Sequence, residues 1–286
     1  QVGVSARQGK LIPRRGPAPE VDDREILCLA LVQELMGFAS DNQFQLWLAT
    51  NPTMTALFPR RLSRQNFADR RALLQPLLER LSSFFSTALE GGHPLFVIDS
   101  HPVDVCRPAR QANTPGRLGG LAAVGRCPAL RRWFCGVREH ILLTPRGGIA
   151  FVLQLPGNRH DVQGLYALLK TTLCGLLLGD TAYQPSPSAR KELAQKGLQV
   201  LVSTDPRWHF QNPLEVAAWI DAYRHLLDRQ FSLFNQHFHG DRTLCRSPRH
   251  HYARRWCKVL AFNLSRFLNR THGWPTESMV HFHMAA

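Results

Sequence analysis

Two short apolar runs in this chain each end on an aspartate. Leu95-Phe96-Val97-Ile98 leads into Asp99-Ser100, with Gly91, Gly92 and Pro94 before it and Pro102 after it. Cys174-Gly175-Leu176-Leu177-Leu178-Gly179 leads into Asp180. Consecutive large apolar residues between Gly and Pro breakers predict strands covered on both faces, and a charge at the exit of such a strand is expected to face a cleft. One Asp after a strand is ordinarily a turn former. Two of them, at the ends of two strands, have the chemistry to share a metal site, because carboxylate oxygens are the ligands hard cations prefer.

A third carboxylate would have to come from a helix packed beside those strands. Asp228 is the candidate, within His225-Leu226-Leu227-Asp228-Arg229-Gln230-Phe231-Ser232. Leu227, Phe231, Phe234 and Phe238 are spaced as a buried helical stripe, which leaves Asp228 at its margin. Asp221, Glu215 and Asp241 are rivals. Three such acids suit phosphodiester cleavage: two cations about 3.5–4 Å apart can activate water or a 3′ hydroxyl and neutralise charge on the leaving oxygen. Asp161, by contrast, is placed to cap a helix.

The charge balance agrees with a polyanionic partner. The 286 residues hold 35 Lys and Arg against 21 Asp and Glu, a formal net charge of +14. Such an excess points to nucleic acid. A composition of 44% hydrophobic and 20% charged residues excludes a disordered or fibrous chain. No apolar run reaches the roughly 18 residues that span a bilayer, and the first residues lack the apolar core of a secretory signal. A cytoplasmic, nucleoid-associated protein is expected. The seven cysteines form no disulfide framework and no paired zinc signature; Cys127, Cys135 and His140 lack ligand spacing on both sides.

Residues 1–20 read as a flexible basic tail. Residues 21–90 read as a helical domain: one helix over Ile26–Met36 stopped by Gly37, a second capped by Ser40 or Asp41 and closed at Asn51-Pro52, and a third from Ser63 to Phe85 kinked at Pro76. The third begins among Arg60, Arg61, Arg64, Arg70 and Arg71, as a helix reading DNA would. Residues 101–132, with Arg107, Arg110, Arg117, Arg126, Arg131 and Arg132 among Pro and Gly, read as a loop that would hold a polyanion near Asp99. A hairpin over 133–155 follows, with Arg138 in its first strand. Then come a helix after Asp161, the strand to Asp180, a helix over 188–196, a strand over 198–203 and a long helix over 214–238. Residues 91–240 form the expected catalytic domain. In the last segment, 241–286, Ser247-Pro248 opens a helix with Arg254, Arg255 and Lys258 at its polar positions, facing either solvent or phosphate.

This order predicts a mixed sheet flanked by helices, the order of the ribonuclease H-like fold, preceded by a small all-helical domain. In that fold, acids at the ends of the first and fourth strands meet, and a later helix supplies a third.

At this point the sequence resembles the DDE-type transposases of bacterial insertion sequences, most closely the branch numbered nine-eighty-two. The matching pieces are Phe96-Val97-Ile98-Asp99-Ser100-His101-Pro102-Val103, Trp133-Phe134-Cys135-Gly136-Val137-Arg138-Glu139-His140 and Pro156-Gly157-Asn158-Arg159-His160-Asp161. Gly179-Asp180-Thr181-Ala182-Tyr183 and Leu227-Asp228-Arg229-Gln230-Phe231-Ser232 follow in the same order, and Arg61-Leu62-Ser63-Arg64-Gln65-Asn66-Phe67 looks like the family's N-terminal segment. The resemblance implies cleavage and transfer of double-stranded DNA at element ends by a homodimer. It implies two Mg²⁺ ions, with Mn²⁺ as a substitute, held by Asp99, Asp180 and Asp228. The sequence departs from the pattern at Asp228, where Glu is usual, and at Thr181, where Lys is usual. The shorter arm opens two alternatives: an impaired or repurposed protein that only binds DNA, and a nuclease of the same fold without strand transfer.

Overall fold

The computed structural model describes residues 9–90, 94–110, 117–205 and 211–278. The first eight residues of the expected basic tail lie outside them. The chain divides into two compact units. One comprises Gln1–Ser82, His237–His239 and Leu244–Ala286; the other comprises Ser83–Gln236 and Gly240–Thr243.

The first unit is helical. It contains α1 (Asp23–Leu35), α2 (Asp41–Thr50), α3 (Pro52–Leu57), α4 (Arg64–Leu73), the start of α5 (Gln75–Glu90) and α9 (Pro248–Thr271). Its boundaries follow from capping chemistry. Asp22 and Glu25 form a capping box on α1, and Ser40, Asn51, Ser63 and Ser247 each accept a backbone N–H from the helix they open. The single kinked helix expected from Ser63 is two helices. Leu74 closes α4, and Pro76 stands in the first turn of α5, where a missing N–H costs nothing.

α9 packs against α1 and α4 with almost its whole circumference covered from Ala253 to Phe262. This overturns the reading of its basic residues. Arg254, Arg255 and Lys258 face neither solvent nor phosphate; all are buried. The Arg254 guanidinium donates to Glu34 at 2.6 Å and to Asp41 at 2.7 Å, while Lys258 Nζ donates to Glu34 at 2.8 Å. Arg71 of the supposed DNA-facing cluster is buried as well and pairs with Asp41 at 2.9 Å, and Arg70 pairs with the buried Asp23. Burial alone would raise the Glu34 carboxyl, but the two cations outweigh it and hold it below the usual range. Burial pushes the Arg255 guanidinium down to about 9.

The second unit carries a six-stranded mixed sheet: β1 (Leu95–Cys106), β2 (Ala123–Cys127), β3 (Arg132–Leu143), β4 (Ile149–Pro156), β5 (Gly175–Gly179) and β6 (Leu198–Val202). Central β1 is antiparallel to β3 on one side and parallel to β5 on the other, and β6 extends the parallel half. Strands β4 and β2 pair with successive halves of β3. Helices α6 (Asp161–Leu168) and α7 (Pro187–Gln195) cover one face through Ile98, Leu165, Leu168, Leu177, Leu193 and Val200. α8 (Leu214–Phe238) lies on the other, with Leu227 and Phe231 buried. This is the ribonuclease H-like arrangement.

Residues 101–132 are not the expected loop. β1 runs through Pro102 to Cys106, short 3₁₀ turns follow at Pro108–Arg110 and Arg117–Gly120, and β2 pairs with β3. Gly136 is required where β3 crosses β1, because a Cβ there would lie 1.9 Å from the carbonyl oxygen of Val103. None of the seven cysteines forms a disulfide.

The buried ion cluster of the helical unit sets a stability prediction. Glu34→Gln leaves Arg254 and Lys258 in a dry interior with half their counter-charge, so it should cost about 3–5 kcal/mol. A drop in the thermal midpoint followed by circular dichroism is expected; an unchanged midpoint refutes it.

Candidate active site

The site begins where two neighbouring strands differ in length. The last β1–β5 pair is Val97 with Leu178, and β5 ends at Gly179. Continuing the register sets Asp99 opposite Asp180, across a strand spacing of about 4.8 Å. β1 goes on, so its backbone groups on that side lose their ladder partner. Alternate residues meet this differently. The Asp104 N–H donates to the Asp241 carbonyl at 2.8 Å, and the Asp104 carbonyl accepts from Thr243 at 2.9 Å. Pro102, two residues earlier, has no N–H to satisfy. Two earlier again, the Ser100 N–H donates to Oδ1 of Asp99 at 2.7 Å. Asp99 therefore lies inside β1, not at its exit, and the open edge comes from the end of β5.

The same side of β1 fixes α8. The His101 ring stacks on Phe231 with centroids 5.0 Å apart and planes 12° apart. His101 Nε2 lies 3.0 Å from Oε1 of the fully buried Glu139, whose Oε2 accepts from Gln154 at 2.7 Å. Side chains alternate along a strand, so Asp99 shares the α8 side with His101, whereas Ser100 faces α6. Asp228, one helical turn before Phe231 and Ser232, is exposed at the margin of the stripe.

Burial dominates the electrostatics of the two strand acids. It raises Asp99 to about 7; the Ser100 N–H opposes, and the charges of Asp180, Asp161 and Asp228 add to the rise. Asp180 is raised by burial too, with Asp161 adding and the Ala182 N–H and Arg224 opposing. Its Oδ1 caps the 3₁₀ turn Thr181–Tyr183 by accepting from Ala182 at 2.9 Å. The field of three neighbouring carboxylates thus converges on Asp99. Among the described residues, no group of three or more His, Cys, Asp or Glu side chains is arranged to hold a metal ion by itself.

Asp161 does not cap α6. His160 holds that position without a side-chain bond, and Asp161 opens the helix. Its Oδ1 accepts from Ser100 Oγ at 2.5 Å and from Arg138 Nη1 at 3.1 Å. Behind it, the buried His140 ring contacts the Tyr183 hydroxyl through Nδ1 at 2.8 Å, and burial lowers its pKa to about 4. Gly164 lies against that ring, where a Cβ would approach within 2.5 Å. Ser100, Arg138, His140, Asp161 and Tyr183 all lie in the pieces that carry the resemblance, but residue types alone read Asp161 as a helix cap.

The remaining basic residues are dispersed. Arg60, Arg61 and Arg64 are exposed; Arg60 donates to the Glu20 carbonyl and Arg61 to Thr55. Arg107 and Arg131 are exposed, and Arg132 pairs with Asp104 at 2.8 Å. Arg110 ends a 3₁₀ turn, and its side chain lies outside the described part. Arg138, expected to face phosphate, is turned to Asp161 and to the Arg126 carbonyl. No helix among the described residues is long and apolar enough to cross a membrane.

Residues 90–217 match the family model described as a transposase DDE domain. The match spans Asp99, Asp161 and Asp180 and ends before Asp228. No curated protein matches the chain. Two solved structures are similar. "Crystal structure of a pre-cleavage Mos1 transpososome" is 13% identical, covers 88% of this chain and 82% of that one, and has a TM-score of 0.23. "Mos1 transposase paired-end complex with left transposon end" is 14% identical, covers 90% and 84%, and has a TM-score of 0.22. Likeness at this level carries no structural argument.

Asp99 makes stability depend on pH. Its pKa is raised by folding, from about 3.9 in an unfolded chain. What its protonated form contributes is complete below pH 4 and is lost as pH rises to about 7. Without added metal, Asp99→Asn should stabilise the fold at pH 8 by on the order of 2–4 kcal/mol, seen as a higher thermal midpoint, and change it little at pH 4. Equal shifts at both pH values refute this.

Proposed function

We propose that this chain is a DDE-type transposase of the insertion-sequence kind, akin to branch nine-eighty-two, which cleaves double-stranded DNA at element ends and transfers the strand. The observation that carries the reading is the register of Asp99 against Asp180 on parallel strands, inside the segment that matches a transposase DDE domain. Mg²⁺ characteristically takes one or two protein carboxylates and completes its shell with water and substrate phosphate. Two half-buried acids that repel one another, without a self-sufficient metal cage, suit that habit. Asp99 and Asp180 are the proposed holders, with Asp228 as the third acid on α8, and two Mg²⁺ or Mn²⁺ ions would supply a nucleophile and charge neutralisation.

The chain's own residues do the rest. Ser100 fixes one oxygen of Asp99, and Asp180 is fixed by Ala182. The His101 and Phe231 stack holds α8 where Asp228 acts on Asp99. Exposed Arg60, Arg61, Arg64, Arg107 and Arg131 are the proposed phosphate contacts, and helical segment 21–90 is the proposed reader of DNA, in a protein that pairs two element ends as a dimer.

A second reading has one observation behind it. Asp228 is exposed, one methylene shorter than the usual Glu, and outside the matched residues. An impaired protein that retains DNA binding would follow. A strand-cleavage assay on DNA from the element's terminus separates the two. Mg²⁺-dependent cleavage that falls by about 10²–10³-fold in Asp99→Ala and Asp180→Ala supports the transposase. Cleavage that appears only in Asp228→Glu supports the impaired protein, and full activity in Asp99→Ala ends both.

A further inference from the structure

We infer that Ser100, Asp161 and Arg138 form a positioning chain that runs through the sheet and sets the orientation of the Asp99 carboxylate. The inference rests on the metal-site reading of Asp99. Its basis is a continuous set of contacts. Arg138 is anchored twice, by its Nη2 bond to the Arg126 carbonyl at 2.8 Å and by its guanidinium over the Phe134 ring at 5.8 Å. From there Nη1 holds Asp161 Oδ1 at 3.1 Å, and the same oxygen takes the Ser100 hydroxyl at 2.5 Å. Ser100 is the link between faces. Its side chain goes to Asp161 on the α6 side, while its backbone N–H goes to Asp99 Oδ1 on the α8 side.

The need for such a chain follows from where Asp99 stands. Beyond Gly179 no strand flanks β1 at Ser100 on the β5 side, where its N–H points, although β3 pairs with it on the other side, so the N–H that fixes Asp99 lies on an open edge. A bond between a side chain and the next N–H restrains the carboxylate only as well as that peptide is restrained. Asp161 and Arg138 replace the missing ladder. With Oδ1 committed to Ser100, Oδ2 is left as the oxygen for the cation under this reading. Outer partners of this kind commonly change metal affinity by about 10–100-fold when removed. Arg138 and Asp161 are positioning residues here: neither is assigned to touch substrate or cation.

The test is Mn²⁺ affinity, read from free Mn²⁺ by electron paramagnetic resonance on the full chain, with Asp99→Ala defining the site. Ser100→Ala changes no charge and should weaken Mn²⁺ binding about tenfold, with Ser100→Thr restoring it. Arg138→Met gives a second arm with an opposed sign. If Arg138 only offset the charge of Asp161, its loss would tighten Mn²⁺ binding; as an anchor of the chain, its loss should weaken it. Thermal midpoints show that each variant is folded. Unchanged affinity in Ser100→Ala, or tighter binding in Arg138→Met, overturns the chain while leaving the metal site standing. No binding in the unaltered protein that depends on Asp99 overturns the metal-site reading and the chain with it.

Discussion

β5 stops at Gly179 while β1 continues for nine residues past its last partner, Val97. A strand edge inside a folded unit must satisfy its N–H and carbonyl groups or bear a cost of about 1–3 kcal/mol for each one left over. Here the edge is closed in pieces: by the segment at Asp241–Thr243, by a proline that has nothing to donate, and by the carboxylate of Asp99. The candidate site is what remains of that gap. Asp180 falls into it because it is the first residue after β5. The cleft and its two acids therefore share one cause, a mismatch in strand length.

Much of the molecule is legible in residue patterns. α8 is readable over its whole length from the Leu227, Phe231, Phe234 stripe, and the caps at Asp22, Ser40 and Ser247 mark their helices. Breakers mislead where tertiary context removes their effect. Pro102 suggests the end of a strand, yet it falls on the one edge where an N–H is not required. Pro76 suggests a kink, yet it sits in a first turn. β2 is invisible because Ala123-Val124-Gly125-Arg126-Cys127 is short and holds a single β-branched residue beside a glycine, and its pairing with β3 is what makes it a strand.

Charge is less legible than periodicity. A net charge counts side chains without regard to where they lie, and five of the cations that suggest a polyanion surface are spent elsewhere. Arg70, Arg71, Arg254 and Lys258 are matched to Asp23, Asp41 and Glu34, and Arg138 to Asp161. Arg255 is buried beside them. A stripe of Arg and Lys on a helix looks the same in sequence whether acids or phosphates answer it. Only the partner's position separates the cases, and Glu34 is 220 residues from Arg254. The role of Asp161 is hidden for a related reason, since an Asp at a helix start reads as a cap unless Ser100 and Arg138 are known to reach it.

These pairings sharpen what is unusual about Asp99 and Asp180. In the helical unit three acids have cations close enough to depress their pKa: Asp23 has Arg14 and Arg70, Asp41 has Arg71 and Arg254, and Glu34 has Arg254 and Lys258, whereas burial raises the half-buried Glu79. In the sheet unit Arg138 pairs with Asp161 at 3.1 Å. At Asp99, burial and three neighbouring carboxylates push the pKa up, and the Ser100 N–H opposes them. Uncompensated buried charge costs stability, and a hydrophobic or amide side chain at position 99 would remove the cost. A fold that pairs Asp23, Asp41, Glu34 and Asp161 with cations surrounds Asp99 with like charge, and such clusters concentrate where a protein binds or reacts. A turn former has no use for that repulsion, whereas a site that receives positive charge from outside the chain does.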